Sequence, residues 1–359
     1  MDGSMENSGG KTGASRVDPA RITGEVTLAH GGGGRAMRDL IDGIFAEAFR
    51  NPDFSDEDQA RLAPPAAQDG GRIAFTTDGF VVSPIEFPGG NIGDLAVNGT
   101  VNDLAVGGAT PLWLSCAVII EEGCDMALLK RVAASMREAA DEAGVRIVTG
   151  DTKVVGRGHG DGIYVTTSGV GVIPAGVDLG ARNVRPGDVA IVNGKLGDHG
   201  ACILNARGDM ALETELETDC RPLHRVMAAA MEAAPSLRCA RDATRGGLAS
   251  SLNEIAAAAG VQIDLEETAL PIRDEVKGMC EILGLDPLYL ANEGALVLFV
   301  PEAEAEATLA AIRATPEGRE ACIVGRAREG VAGRVVMNTL FGGGRIVDML
   351  AGEQLPRIC

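Results

Sequence analysis

A chain of 359 residues is long enough for two domains, each with its own core. Its 51 acidic and 32 basic side chains leave a net charge of −19, a surface that repels phosphate backbones, so no nucleic-acid role is expected. Hydrophobic residues make up 45%, yet no apolar run reaches the ~18 residues of a membrane span.

The first residues, 1–18, are polar and glycine-rich, with no apolar stretch of the kind a secretory signal needs. Residues 1–21 read as a disordered extension of a cytoplasmic protein. There the eight cysteines stay reduced, and seven of them, Cys116, Cys124, Cys202, Cys220, Cys239, Cys280 and Cys322, read as small core hydrophobes.

Residues 26–30 read as a strand that runs into Gly31, Gly32, Gly33 and Gly34 and then a helix. Backbone N–H groups of such a loop suit phosphate oxygens, and a flexible hinge fits the same glycines. The spacing matches neither a P-loop nor G-x-G-x-x-G. Further strands are expected at 72–77, 113–120, 145–149 and 163–172. Between the second and third, Leu129, Val132, Ala133, Met136, Ala140 and Ala143 share one helical face, with Asp125 as N-cap and Gly144 as stop.

The Pro- and Gly-rich stretch 177–187 is the expected boundary between domains at 22–175 and 176–345. The second opens with a strand at 188–193. Helices follow at 221–234 and 248–259, then an apolar strand at 296–300. A tail, 346–359, ends the chain. The alternation fits two α/β or α+β units.

Four aspartates stand out by setting. Asp78 is read at the end of one strand and Asp151 just past another. Asp103 lies beside Asn102 on an expected helix, and Asp242 opens Asp-Ala-Thr-Arg-Gly-Gly. A single such residue is ordinarily a turn or cap. Four together suit Mg²⁺, which takes hard carboxylate oxygens alongside substrate phosphates. Lys153, two residues past Asp151, and Arg245, beside two glycines at a helix start, each add a cation near backbone donors. Glu293 sits in Ala-Asn-Glu-Gly before an apolar strand; buried, it would suit proton transfer, and a surface turn is the simpler account. The last eight residues, Gly352 to Cys359, span roughly 27 Å when extended. The Cys359 thiol is an incidental surface group, a soft metal ligand or a reactive group on a long arm.

Together these segments resemble the superfamily of aminoimidazole ribonucleotide synthetase, selenophosphate synthetase and thiamine-monophosphate kinase, and within it the hydrogenase-maturation HypE family. The resemblance runs from about Ile22 to Cys359. It is carried by His30-Gly-Gly-Gly-Gly-Arg, Thr76-Thr-Asp-Gly-Phe, Gly99-Thr-Val-Asn-Asp-Leu-Ala, Val148-Thr-Gly-Asp-Thr-Lys, Asp242-Ala-Thr-Arg-Gly-Gly and Ala291-Asn-Glu-Gly. The ending Pro356-Arg-Ile-Cys is the specific mark of that family. Gly79 stands where Ser is expected and Ala243 where Pro is more usual.

The resemblance implies a two-domain α/β (α+β) fold with an N-terminal mixed sheet or barrel, a C-terminal α/β domain and a flexible C-terminal tail. It implies a homodimer with ATP sites near the subunit interface, the N-terminal domain serving ATP binding and dimerisation. The implied activity is ATP-dependent dehydration of a carbamoyl group on Cys359 to a thiocyanate. A HypF-type carbamoyltransferase would load the group, and a HypC–HypD iron complex would receive the cyanide for [NiFe]-hydrogenase. Asp78, Asp103, Asp151 and Asp242 would hold Mg²⁺. Gly31, Gly32, Gly33, Gly34, Asn102, Thr152 and Arg245 would contact ATP. Lys153 would stabilise the transferring phosphoryl group, and Glu293 would take the amide proton. A small-molecule kinase or synthetase of the superfamily and a non-catalytic metallochaperone are the rival readings.

Overall fold

The computed structural model describes residues 22–31, 35–51, 70–208, 214–350, 355 and 357–359. The expected extension 1–21 and the glycines Gly32, Gly33 and Gly34 lie outside the described residues.

Two short helices, α1 (Arg35–Leu40) and α2 (Ala46–Phe49), precede the first sheet unit. That unit comprises β1 (Arg72–Phe80), the small ladder of β2 (Glu86–Phe87) and β3 (Gly90–Asn91), and helix α3 (Ile92–Val106). It continues with β4 (Thr110–Glu121), α4 (Met126–Ala143), β5 (Arg146–Val155) and β6 (Ile163–Ile173). Its four-stranded mixed sheet runs β1-β6-β4-β5, with β4 and β5 parallel across the α4 crossover and the other pairs antiparallel. Helix α4 forms as expected. The Asp125 carboxylate accepts the Ala127 N–H at 2.9 Å, and Gly144, at φ 69°, ends the helix in the left-handed region.

The second unit holds β7 (Val189–Val192), α5 (Asp198–Ala206), α6 (His224–Ala233), β8 (Cys239–Asp242) and α7 (Gly247–Ala259). It continues with β9 (Gln262–Glu266), α8 (Asp274–Leu283), β10 (Leu296–Val300), α9 (Glu302–Arg313), β11 (Cys322–Arg328), β12 (Arg334–Asn338) and β13 (Gly344–Val347). Its seven-stranded sheet runs β13-β12-β9-β11-β7-β10-β8. Strands β7 and β10 are buried along their whole length because apolar clusters cover both sheet faces: Leu248, Leu252 and Ile255 on one, Val226, Met227 and Leu309 on the other. The expected two-domain α/β architecture is what forms.

Helix α3 positions the site. Its start is closed by a reciprocal cap: Asn91 Oδ1 accepts the Gly93 N–H and Asp94 Oδ1 accepts the Asn91 N–H, both at 2.7 Å. It is buried nearly all round, packed on β1 and β6 and, beyond them, on α6 and β8 of the second unit. A helix apolar on every face carries no amphipathic period, which is why sequence spacing reveals so little of it.

Asn102, 2% exposed on α3, ties the two units together. Its amide donates to the carbonyls of Arg221 (3.1 Å) and Glu293 (3.2 Å), and its Oδ1 accepts the Leu223 N–H at 2.7 Å. Both amide protons are thereby engaged with main chain, so its place here is that of a brace. Asn102→Ala leaves three buried backbone groups unpaired and is expected to lower the unfolding free energy by about 2–4 kcal/mol. A urea midpoint equal to that of the parent would contradict this.

Two local expectations are corrected. Residues 26–30 are not a strand. His30 N–H bonds Thr27 O at 3.0 Å and Thr27 N–H bonds His30 Nδ1 at 3.0 Å, and these local bonds wind Leu28–Gly31 into a 3₁₀ turn. Asp78 and Asp151 lie inside β1 and β5, not at their ends. Both are edge strands, on which polar residues are compatible with continued pairing.

Candidate active site

Even-numbered residues of β1 face α3, as the bond from Thr76 Oγ1 to Asp103 Oδ2 (2.8 Å) shows. Asp78 follows on the same face, its Oδ1 accepting the Gly79 N–H at 2.8 Å. Asp242 arrives at the end of β8, and Arg245 just after it, at the start of α7. Glycine is required at both positions that follow Arg245. Gly246 and Gly247 have φ of 75° and 59°, and a Cβ on Gly247 would stand 2.4 Å from the Leu288 carbonyl oxygen. The turn brings Arg245 Nη2 to 3.7 Å from Asp78 Oδ1.

Glu293 approaches from the loop before β10. Asp219 Oδ1 and Oδ2 accept the Glu293 and Gly294 N–H groups, each at 3.0 Å, and Asn102 donates to the Glu293 carbonyl. The Glu293 residue is 3% exposed, and its Oε1 is buried with no hydrogen-bond partner among the described residues.

The end of the chain completes the site. The Arg357 carbonyl accepts from the Ser83 N–H (3.1 Å) and from Arg207 Nη2 (2.7 Å), while the Arg357 guanidinium reaches Asp161 at 3.0 Å. Arg357, at φ 53°, is a non-glycine residue in the left-handed region, held there by these bonds. Ile358 is 5% exposed, and its carbonyl accepts from His199 Nε2 at 2.7 Å. The Cys359 side chain therefore enters a narrow cavity lined by Asp78, Gly79, Phe80, Asp242, Thr244, Arg245 and Glu293, and its thiol contacts the Glu293 carboxyl.

The cavity is electrostatically crowded. Burial, with the charges of Asp103 and then Asp78, pushes Asp242 up to about 6. Asp103 is raised by burial and by Asp78. Burial lifts Glu293 well above the carboxylate range, reinforced by Asp219, Asp242 and Asp78. Burial and the facing Glu293 carboxylate likewise hold the Cys359 thiol well above its ordinary value, and Arg245 opposes them.

A stability test follows from Asp242. Its folded pKa lies above its unfolded one, so its contribution is fully present below about pH 4 and is lost as pH rises through about 6. Asp242→Asn removes that loss. Without nucleotide or divalent cation, the variant is expected to gain on the parent between pH 4 and pH 7, by on the order of 3 kcal/mol at most. Urea midpoints that stay parallel across that range would refute it.

Of the expected site residues, Asp78, Asp103, Asp242, Arg245, Glu293 and Cys359 converge, with Asn102 bracing them. Asp151, Thr152 and Lys153 do not. The register Asp78↔Thr167, Thr167↔Cys116 and Cys116↔Gly150 puts β1 and β5 three strands apart, about 14 Å. Lys153 and Asp151 pair with each other at 3.0 Å on the outer face, opposite to that of Asp78. Thr152 points inward and is 4% exposed. Gly31 closes the 3₁₀ turn.

His199, Thr218 and Asp219 support the site without having been foreseen. His199 sits between Asp198 and Gly200 and is one of only four histidines, but no spacing links it to the tail.

The chain matches the family models described as AIR synthase related protein, N-terminal domain over residues 56–173 and C-terminal domain over 185–338. It is 68% identical to the carbamoyl dehydratase HypE of Rhodobacter capsulatus over 335 residues, covering 93% of this chain and 98% of that one. A hydrogenase maturation protein HypE solved in complex with ATP superposes with a TM-score of 0.88 at 46% identity, over 93% of this chain and 99% of that one. In a HypE–HypF complex the matched chain gives a TM-score of 0.76 at 42% identity, over 88% and 100%. The chain therefore belongs to the HypE family of carbamoyl dehydratases, an enzyme family built from the two AIR synthase related domains.

Proposed function

We propose that this chain uses ATP to dehydrate a carbamoyl group carried on Cys359, producing a thiocyanate that supplies the cyanide ligand of a [NiFe]-hydrogenase iron. The observation that carries this reading is the seating of the Cys359 thiol inside the acidic cavity, against Glu293.

The amide oxygen of a carbamoyl group is a poor leaving group at neutral pH. The γ-phosphoryl group passes from ATP to that oxygen while Glu293 takes one N–H proton, giving an imino-phosphate and ADP. The C–O bond then breaks, phosphate leaves with the electron pair, the second N–H proton departs, and S–C≡N remains. Phosphoryl transfer needs mainly positioning and charge neutralisation. Arg245, beside the backbone donors at the start of α7, provides for the phosphates.

Among the described residues no ready-made cluster of three or more ligating side chains is present. A Mg²⁺ ion here would be shared between carboxylates and nucleotide phosphates, its usual arrangement. Asp78, Asp103 and Asp242 fit it, since the charge of Asp78 raises the pKa of both the others. Such an ion would screen the developing phosphate charge.

A homodimer through the outer face of the first sheet accounts for Asp151 and Lys153. That face exposes Ile73 (67%), Phe75 (71%) and Ile119 (39%). Across it, the partner subunit's Asp151 and Lys153 would complete each nucleotide site. Loading of Cys359 would belong to a HypF-type carbamoyltransferase and removal of cyanide to a HypC–HypD iron complex. A docked thiol with a raised pKa is a weak nucleophile, so loading would take place with the tail withdrawn.

The test is to incubate the full chain with ATP, Mg²⁺, carbamoyl phosphate and the carbamoyltransferase, then take intact and peptide masses. A carbamoyl adduct on Cys359 that loses one water only with ATP is expected. An unmodified tail beside steady ATP hydrolysis would sink the reading.

A further inference from the structure

Cys359 and Glu293 reach the cavity from different segments, yet one tripeptide, Thr218-Asp219-Cys220, touches the supports of both. On one side is Asp219, 4% exposed, whose two carboxylate oxygens take the N–H groups of Glu293 and Gly294 at 3.0 Å each. The two chains are so close that a Cβ on Gly294 would lie 1.8 Å from the Asp219 carbonyl oxygen.

On the other side, Thr218 Oγ1 lies 2.8 Å from His199 Nδ1 and accepts the Cys220 N–H at 3.1 Å. The proton placement follows from what His199 touches. The Ile358 carbonyl can only accept, so Nε2 carries the hydrogen that it gives to that oxygen at 2.7 Å. In a neutral imidazole Nδ1 is then the acceptor, and the Thr218 hydroxyl donates to it. Burial keeps His199 neutral, holding its pKa down to about 4. The Phe87 ring meets the imidazole edge-on at 5.6 Å and fixes its plane.

The tripeptide is itself anchored to the first unit. The Thr218 N–H donates to the Pro88 carbonyl at 3.0 Å, and Asn98 Nδ2 of α3 donates to Cys220 Sγ at 3.5 Å. The Ile358 carbonyl is bonded directly to the Cys359 nitrogen. Holding it fixes the peptide plane that leads into Cys359, leaving the thiol the φ and side-chain torsions of that residue, and holding the Glu293 N–H and carbonyl fixes the main chain from which its carboxyl extends.

We propose that Thr218 and Asp219 are positioning residues for the dehydration: Thr218, through His199, sets the Cys359 side chain, and Asp219 sets the Glu293 main chain against it. The assignment rests on Cys359 being the carrier. The other tail tethers, Ser83 and Arg207 on the Arg357 carbonyl, retain the tail without linking it to Glu293.

Thr218→Val keeps the shape and removes the hydroxyl, whereas Thr218→Ser keeps the hydroxyl. Full-length proteins are loaded on Cys359 by the carbamoyltransferase with carbamoyl phosphate, then mixed with excess ATP for a single turnover followed by mass. T218V is expected to lose water about tenfold more slowly, with loading and ATP affinity within about twofold of the parent, and T218S to recover the rate. A T218V that dehydrates at the parent rate overturns the proposal. So does one that loses ATP affinity in the same proportion, or one that serine does not rescue. A second pair keeps the test decisive if T218V folds poorly. His199→Gln retains an N–H for the Ile358 carbonyl and His199→Phe does not, so equal rates for those two also overturn it. Failure of the parent itself to lose water would instead strike the carrier reading.

Discussion

Glu293→Gln is expected to give a chain that binds ATP and accepts a carbamoyl group on Cys359, yet loses water from that adduct at least about a hundredfold more slowly. The groups that hold this residue are main-chain ones. Asp219 binds its N–H and Asn102 its carbonyl, so glutamine, of the same shape, sits in the same place. What disappears is proton acceptance. Glu293 suits that task because burial and the neighbouring Asp219, Asp242 and Asp78 raise its pKa, making it a stronger base toward a weakly acidic N–H. Its Oε1 is buried with no hydrogen-bond partner among the described residues, which leaves that oxygen available to an N–H brought in on the tail. The check is an intact-mass time course: accumulation of the carbamoyl adduct supports the role, and water loss at the parent rate removes Glu293 from the chemistry.

Cys359→Ala is expected to abolish both mass changes, the carbamoyl gain and the later water loss, while ATP affinity stays within about twofold, since the side chain contributes only a small surface to the cavity. The other cysteines do not substitute for it. Burial pushes Cys116 and Cys202 up to about 12, and Cys239 and Cys280 to about 11. Burial raises the docked Cys359 thiol as well. Its distinction is place: it alone among the eight lines the cavity that holds Asp242 and Glu293. A C359A protein that still gains the carbamoyl mass elsewhere and converts it would mean that the thiol is not the carrier.

The amphipathic helix α4 was legible to the residue, including the Asp125 cap and the Gly144 stop, because local periodicity and capping chemistry decide it. Helix α3 was visible only through its Asn-Asp pair. Strand limits slipped at β1 and β5, where polar residues on an edge strand resemble turn signals. At 26–30 the Thr27–His30 bonds turn a β-branched run into a 3₁₀ turn.

The same division holds at the site. Residue type and setting singled out Asp78, Asp103, Asp242 and Arg245, whereas Glu293 and Cys359 took their roles from the family resemblance. That Asp151 and Lys153 lie about three strands from Asp78 was decided by the order β1-β6-β4-β5, which no local pattern encodes. Nor does local sequence link His199 to Ile358, 159 positions away, or Asp219 to Glu293 and Gly294, 74 and 75 positions away. Short-range physics, the helical period, caps and side-chain acidity, is written residue by residue. The meeting of Cys359 with Glu293 depends on how two sheets pack around α3, and only the folded chain determines that.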